Sequence, residues 1–452
     1  MSTVVIGGGI SGLCLAHRLV RAHGLDDVVV LEASDYAGGH VRTEEVDGYL
    51  FDRGPNGFLD REPLMLEWVE ELGLTDELVQ ANEASARRFL LLKDRLAELV
   101  GPPAFLFSRV LSPMGRARLL REPLVRAKRD GAPESIWEFA ARRIGPEAAD
   151  TLVSAMVLGV YGGDAKKLSL EHCFPRMAAM EREHGGLFRA MLAKRKEGAG
   201  RGSAMGPGGT LTTFNGGIGT LVKRAAEALG DCVRCNARVD SIAEADHGYR
   251  LQLEGGETLE SDKVVLALPA FAAADLTRAF DTTLSEALAL IVYAPIAVVC
   301  TGYDTADVAH DLDGFGYLVP PNQGKGVLGC IWTSSVFPQT APEGKVLLRT
   351  LIGGALDPGA VSESDEQLLE RVRRDVHAFL GISTEPELMR IYRHERGIPQ
   401  YGLNHGEILQ EIDAAEARHP GLFLTGNAYY GISMNDCIAA AYRLAQRMCP
   451  NA

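Results

Sequence analysis

No apolar run of about eighteen residues occurs in this 452-residue chain, which excludes a membrane-spanning helix. No signal peptide or other targeting segment is visible, so a cytoplasmic location is expected. An excess of basic residues is lacking as well. The formal net charge is -14, which argues against nucleic acid as a partner. The eleven histidines show no His-x-x-x-His spacing, and no metal site is expected. The eight cysteines are scattered, as expected of reduced buried thiols. Cys232 and Cys235 have redox or metal spacing, but there is no second pair and no helix start with a preceding Trp or Pro. A place on a strand leading to Val239 is the better reading. Internal repeats and low-complexity segments are also missing.

What is present is an ordinary globular composition, 46% hydrophobic and 23% charged, at a length that suits about three domain-sized units. The most informative segment is Thr3-Val4-Val5-Ile6-Gly7-Gly8-Gly9-Ile10-Ser11-Gly12, followed by an apolar run that ends at Glu32 and Ala33. It reads as strand, glycine turn, helix start, second strand and acid. Gly7 permits the tight turn, Gly9 admits a pyrophosphate to the backbone, and Gly12 lets the helix pack on the strand. The helix N-terminus faces the phosphates. Glu32 is placed to accept the hydroxyls of an adenosine ribose.

Further along, periodicity predicts helices at Leu64–Leu72, Ser135–Ile144, Ala148–Val157, Leu170–Glu183, 218–230 and Ser364–Leu380. Strands are predicted at Val233–Ile242, Tyr249–Leu253, Lys263–Leu268 and Gly421–Leu424, and 285–356 is strand-rich. A last helix starts near Asn435. Gly198–Gly209 reads as a link. Asn215-Gly216-Gly217-Ile218-Gly219 lacks the strand and acid of a second dinucleotide site.

Gly38-Gly39-His40-Val41-Arg42-Thr43 resembles the second glycine fingerprint of the flavin amine oxidase superfamily, with His40 or Arg42 beside the FAD pyrophosphate. Leu422-Phe423-Leu424-Thr425-Gly426-Asn427 resembles its second FAD strand, with Asn427 where an Asp is common. Gly431-Ile432-Ser433-Met434-Asn435 leads into the last helix, whose N-terminus would stabilise an anionic reduced flavin. FAD is therefore favoured over NAD, with oxygen or another external acceptor taking the electrons.

A narrower resemblance follows from Gly54-Pro55-Asn56-Gly57-Phe58-Leu59-Asp60-Arg61, Tyr293-Ala294-Pro295-Ile296, Gly314-Phe315-Gly316-Tyr317-Leu318, Gly397-Ile398-Pro399-Gln400-Tyr401 and Asn435-Asp436-Cys437-Ile438. These resemble the oxygen-dependent protoporphyrinogen oxidase family. The resemblance implies oxidation of protoporphyrinogen IX to protoporphyrin IX in three flavin cycles, with O2 reduced to hydrogen peroxide. The cofactor carries the redox chemistry, and the protein supplies orientation and a dry pocket. It implies an α/β fold: a discontinuous FAD-binding unit (1–60, 208–270, 399–452), a mixed-sheet substrate unit (61–98, 271–398) and an inserted helical membrane-binding unit (99–207).

Residue by residue, it places Arg88 on a substrate propionate, for which a guanidinium fork is suited. Phe315, Gly316, Leu318, Ile331 and Leu351 would wall the tetrapyrrole pocket, although each could equally be plain core. Asn56 and Gly159 would orient the substrate, Gly159 near the pyrrole N–H groups. Gly54, Pro55, Asn56, Gly57, Val239, Ile432, Ser433 and Met434 would contact flavin. His394 stands where relatives commonly carry a Trp near the flavin. A peripheral membrane surface is expected at 99–129, where seven basic residues and one acid lie between Arg109 and Arg129 beside the apolar Pro102–Phe107. A solvated helix face is the alternative there. Hand-off to a ferrochelatase and a homodimer belong to the same set of expectations. Coproporphyrinogen III oxidation, amine oxidation and a flavin-binding scaffold without turnover are the rival functions. Against amine oxidation, the strand around Ala294–Val299 has no lysine, though Tyr429 and Tyr430 leave an aromatic cage open.

Overall fold

Thr3–Ile6 and Val28–Leu31 are unbroken apolar runs because both faces of their sheet are covered. In the computed structural model, which describes residues 2–101, 110–196 and 209–450, they are the centre of a five-stranded parallel sheet. Its order is Val233–Arg234, Val28–Leu31, Thr3–Ile6, Lys263–Leu266, Leu422–Leu424. The strands come from three distant stretches of chain. One face packs on helices Ile10–His17, Gly219–Leu229 and Met434–Met448 through Val5, Leu13, Leu221, Val265 and Ile438. The other packs through Val4, Val264, Leu288 and Ile412. Helix His405–Arg418, which was not anticipated from the sequence, contributes Ile408, Ile412 and Ala415 to that second face.

A seven-stranded mixed sheet lies beside it: Leu388–Pro399, Tyr293–Asp304, Lys345–Gly353, Gly329–Trp332, Gly316–Leu318, Phe89–Leu92 and Arg95–Glu98. Gly316–Leu318 and Phe89–Leu92 run parallel; the other neighbours are antiparallel. Residues paired in register share a face. One face carries Tyr317, Cys330, Leu348, Val299 and Trp332 and is a closed core with helix Asp365–Val372. The other carries Leu318, Gly316, Ile331, Leu351, Arg349, Val298, Ile296 and His394.

Several predicted elements are redrawn. Val233–Ile242 is not one strand: Val233–Arg234 joins the parallel sheet, and Val239–Glu244 starts a separate three-stranded meander with Tyr249–Leu253 and Thr258–Ser261. Local β propensity cannot say which sheet a residue joins. Leu170–Glu183 is two helices, Leu170–Cys173 and Pro175–His184, because Pro175 cannot continue the first and opens the second. Ser364 is the N-cap of Asp365–Val372, with a capping box to Gln367. The motif at Asn215–Gly219 starts helix Gly219–Leu229, whose first N–H groups are taken by Thr43 Oγ1 (2.8 Å) and Asp52 Oδ1 (3.2 Å).

Between residues 113 and 193 the chain is mostly helical and is organised by a buried charge. Arg143 has no solvent exposure. It donates to the carboxylates of Glu122 and Glu181 and to the carbonyls of Val125 and Gly185. Glu122 also accepts from Leu187 and Phe188 N–H, closing the N-terminus of Leu187–Lys196 with an anion. Removing one partner of such a buried pair leaves a charge in a low-dielectric interior. Glu122→Gln is expected to lower unfolding free energy by about 3 kcal/mol, at the low end because Glu181 remains. Urea unfolding followed by far-UV circular dichroism measures this; a loss well under about 1 kcal/mol would contradict it.

Candidate active site

The carboxyl ends of the parallel strands carry the glycine motif, where ligands of such sheets bind. Its glycines are constrained differently. Gly7 has φ 107°, and a Cβ there would lie 2.4 Å from the Ala267 carbonyl oxygen. A Cβ on Gly12 would lie 2.0 Å from the Gly7 carbonyl oxygen. Both are required by the fold. Gly9 has nothing within 4 Å of its Cβ position. The fold does not need a glycine there, and the space beside it is open. Gly38 N–H donates to the Gly8 carbonyl (2.7 Å), which lays the second glycine pair against the first. A Cβ on Gly39 would come 3.3 Å from Gly9 Cα.

Glu32 closes the cradle. Its Oε2 accepts from Gly8 N–H (2.9 Å) and its Oε1 from Ser34 N–H (2.9 Å). Ala33 lies between them, and Val239 is buried under this corner with Leu31 and Leu266. Ile10 is half-buried at the helix start. Ser11 is buried against Cys437 of the last helix, so the cleft receives its backbone rather than its hydroxyl. Arg42 lies over the Tyr36 ring (4.6 Å). His40 is solvent-accessible yet walled in, edge-on to His394 (4.9 Å), and enclosure plus that neighbour lower its pKa to about 4. It is neutral at pH 7, so Arg42 is the charged member of this fingerprint.

Near the far end, Tyr401 shapes the loop that carries Asn427 and Ile432. Its hydroxyl donates to the Asn427 carbonyl (2.5 Å) and accepts from Gly431 N–H (2.9 Å). Its ring stacks on His405 (4.1 Å). A Cβ on Gly426 would meet only the Leu268 carbonyl oxygen, at 3.8 Å, and no side-chain hydrogen bond occupies the Asn427 amide among the described residues. Ser433 caps helix Met434–Met448, with Asp436 completing a capping box. That carboxylate in the first turn offsets part of the positive helix end expected from the sequence. Met434 is buried beside Ile438.

Between cradle and mixed sheet lies the loop Gly54-Pro55-Asn56-Gly57. Arg349 donates to the Gly54 carbonyl, and His394 Nε2 donates to the Arg53 carbonyl (2.8 Å). Asn56 Nδ2 is buried with no hydrogen-bond partner. Across from the loop, the sheet face presents Gly316, Leu318, Ile331 and Leu351. Gly159 meets it from the last turn of helix Ser154–Tyr161; a Cβ there would lie 2.6 Å from Leu318 Cδ2. At the rim, Arg88 lies over the Phe315 ring (5.3 Å) with no carboxylate within 4 Å among the described residues. Enclosure lowers its pKa, but a guanidinium stays charged. Its neighbour Arg87 is already paired with Glu98 and Asp313. The structure therefore places Gly316, Leu318, Ile331 and Leu351 on one sheet face, with Phe315 beside it under Arg88. Sequence reasoning missed Arg349 and the role of Tyr401. A lone charge in the apolar run Val346–Ile352 was the available signal for the first.

The model for flavin containing amine oxidoreductases matches residues 10–449. The chain belongs to that family. Among curated proteins it is 33% identical to rice chloroplastic protoporphyrinogen oxidase, across 98% of this chain and 87% of that protein. It is 30% identical to coproporphyrinogen III oxidase of Bacillus subtilis, across 96% and 95%. A crystal structure from Exiguobacterium, provisionally assigned as a protoporphyrinogen oxidase, superposes with TM-score 0.86 at 25% identity, over 100% and 99% of the two chains. A putrescine oxidase structure superposes at 0.74 and 16% identity, which shows the fold alone. The chain is a flavin-dependent oxidoreductase with FAD as cofactor. The cradle fits it: open space at Gly9 for a pyrophosphate and Glu32 for a ribose.

The two kinds of glycine separate experimentally. Gly9→Val is expected to fold with a wild-type melting temperature when stripped of flavin, yet to purify with little FAD. Gly12→Val is expected not to accumulate as folded protein. Flavin absorbance per polypeptide and circular dichroism of the two variants provide the test; equal behaviour would refute the distinction.

Proposed function

We propose that the chain oxidises protoporphyrinogen IX to protoporphyrin IX, with O2 as final acceptor and hydrogen peroxide as product. The observation that carries this reading is Arg88: an enclosed guanidinium without an acid partner among the described residues, at the edge of an apolar wall. A broad apolar ring system bearing carboxylates is the ligand chemistry that both features suit. Bound FAD supplies the electron-accepting chemistry. The chain's own residues bind, orient and exclude water. Leu318, Ile331 and Leu351 take the ring faces, Arg88 a propionate, and Asn56 offers an unsatisfied amide donor. Gly159 offers a carbonyl in a helix's last turn, where carbonyls lack an in-helix donor.

Amine oxidation fits the residues poorly. Ile296, Val298 and Cys300 are side chains that strand Tyr293–Asp304 turns to the cleft face, and none is a lysine. Tyr429 is buried in the core behind the parallel sheet, so it forms no cage wall. Coproporphyrinogen III shares the ring chemistry but carries four propionates, and at this rim Arg87 is spoken for.

Anaerobic mixing of the flavin-loaded protein with each porphyrinogen decides between them. Faster bleaching of flavin absorbance by protoporphyrinogen IX is expected; faster bleaching by coproporphyrinogen III moves the assignment, and bleaching by neither overturns it. Arg88→Ala is expected to raise KM roughly ten- to a hundredfold, the cost of about 1.5–3 kcal/mol for a lost charge-assisted hydrogen bond, with flavin content unchanged.

The division into an FAD-binding unit, a mixed-sheet substrate unit and an inserted helical unit at 99–207 belongs to the same reading, with the helical unit resting on a membrane surface. No helix of the described residues is long and apolar enough to cross a membrane. Met114, Leu120 and Leu124 are exposed close to Arg121, Arg126 and Arg129, which supports shallow, charge-assisted contact. Pro102–Phe107 and Arg109 lie outside the described residues. Arg118 is withdrawn from this surface: it donates to the carbonyls of Arg142 and Arg143. Changing Arg121, Arg126 and Arg129 together to Glu is expected to abolish sedimentation with anionic liposomes at low salt; unchanged sedimentation would remove the membrane reading.

A further inference from the structure

Arg349 is a charged side chain on a central strand of the cleft-facing sheet surface, in register with Ile331 on one side and Cys300 on the other. It is only 6% exposed. Burying a guanidinium is costly unless something in the site uses it. No carboxylate lies within 4 Å of it among the described residues. Asp52 feels its charge but is committed to Thr43 Oγ1 (2.6 Å) and Ile218 N–H. Glu44 is held by Arg53, Arg390 and Tyr392. One Arg349 amino group donates to the Gly54 carbonyl, and its Nε–H is buried with no hydrogen-bond partner among the described residues.

That placement is specific. A Cβ on Gly54 would lie 2.2 Å from the His40 carbonyl oxygen, so Gly54 joins the second glycine fingerprint to the loop that ends at Asn56 and Gly57. Arg349 grips this junction from beneath. Beside it, His394 is bonded to the adjacent Arg53 carbonyl. Burial is the main influence on both neighbours, lowering the pKa of His394 and raising that of the Cys300 thiol to about 12, and the positive charge of Arg349 acts on both in the lowering direction. Its field therefore reaches into the cleft without being cancelled by a contact ion pair.

We propose that Arg349 is a positioning residue of the flavin site, which fixes the Gly54–Gly57 loop through one hydrogen bond and keeps a positive charge beneath the cleft that favours the anionic, reduced cofactor. This rests on the assignment of the cleft to FAD and not on the choice of porphyrinogen. Fixed charges in a water-excluded site act strongly on a group whose own charge changes.

The test uses the flavin-loaded full chain and two variants. Arg349→Gln keeps a donor for the Gly54 carbonyl and drops the charge. Arg349→Lys keeps the charge and loses the fork. Affinity for sulfite, an anion that adds to electron-poor flavins, is read by bleaching of the flavin band, and the midpoint potential by dye equilibration. Arg349→Gln is expected to bind sulfite at least tenfold more weakly and to shift the oxidised-to-reduced ratio about tenfold, which is about 30 mV for two electrons. Arg349→Lys is expected to stay within about threefold of wild type, a difference of under about 1 kcal/mol. Wild-type values for Arg349→Gln would overturn the proposal. Equal losses in both variants would also overturn it, since packing rather than charge would then be at work. So would failure of both to fold with flavin. A wild-type protein that binds no flavin would instead remove the cofactor assignment itself.

Discussion

Two backbone carbonyls hold the functional half of this molecule together. The oxygens of Arg53 and Gly54 are taken by His394 and Arg349, side chains on two strands of the mixed sheet that flank Tyr293–Asp304. Through them the glycine cradle of one sheet and the apolar face of another become the two sides of a single cleft. The sheet can offer that face only because its opposite face is closed against helix Asp365–Val372. The other face is partly core as well, with Ile296, Val298 and Cys300 packed against Tyr49, Phe51 and Leu158, and it carries a glycine, an arginine and a histidine among its aliphatic residues. A cleft between two rigid sheets suits a flavoenzyme of this family, where the protein's task is to hold two ring systems in place and keep water out.

Charge is used in two distinct ways. In the helical stretch, Arg118 belongs to the basic patch read from the sequence, but both it and Arg143 are structural: Arg143 is fully buried among carboxylates, and Arg118 satisfies helix-end carbonyls. At the cleft, Arg88 and Arg349 lack acid partners within contact distance among the described residues. An enclosed cation without a partner is costly in a folded protein, which makes its chemistry, rather than its packing, the explanation for its presence.

How far the sequence could be read depended on how local the physics is. The motif from Gly7 to Gly12 was fully legible, because a tight turn, a close helix approach and an open phosphate position each ask for glycine within a few residues. Capped helices such as Ile136–Ile144, with its Ser135–Glu138 capping box, were legible for the same reason. Failures came where the decision lay elsewhere. Val233–Ile242 reads as one strand but splits between two sheets. Pro175 breaks a periodicity that otherwise looks continuous. Helix His405–Arg418 carries apolar residues too sparsely to announce itself, and packing against the parallel sheet settles it.

The sequence by itself determined the chemistry on offer: a dinucleotide cradle at residues 6–12 and 32, a second glycine fingerprint, an arginine in front of an apolar strand, and the absence of a catalytic lysine. These are local patterns, and the residue types follow from hydrogen-bonding and steric needs within a turn or a strand. Only the tertiary structure decided which face of each strand meets the cleft, that Ser11 and Tyr429 turn away from it, and that Arg349 stands beneath Gly54. Those outcomes depend on strand register and on contacts between residues some 300 positions apart, and a side chain's neighbours at that range are fixed by how the sheets pack rather than by the residues on either side of it.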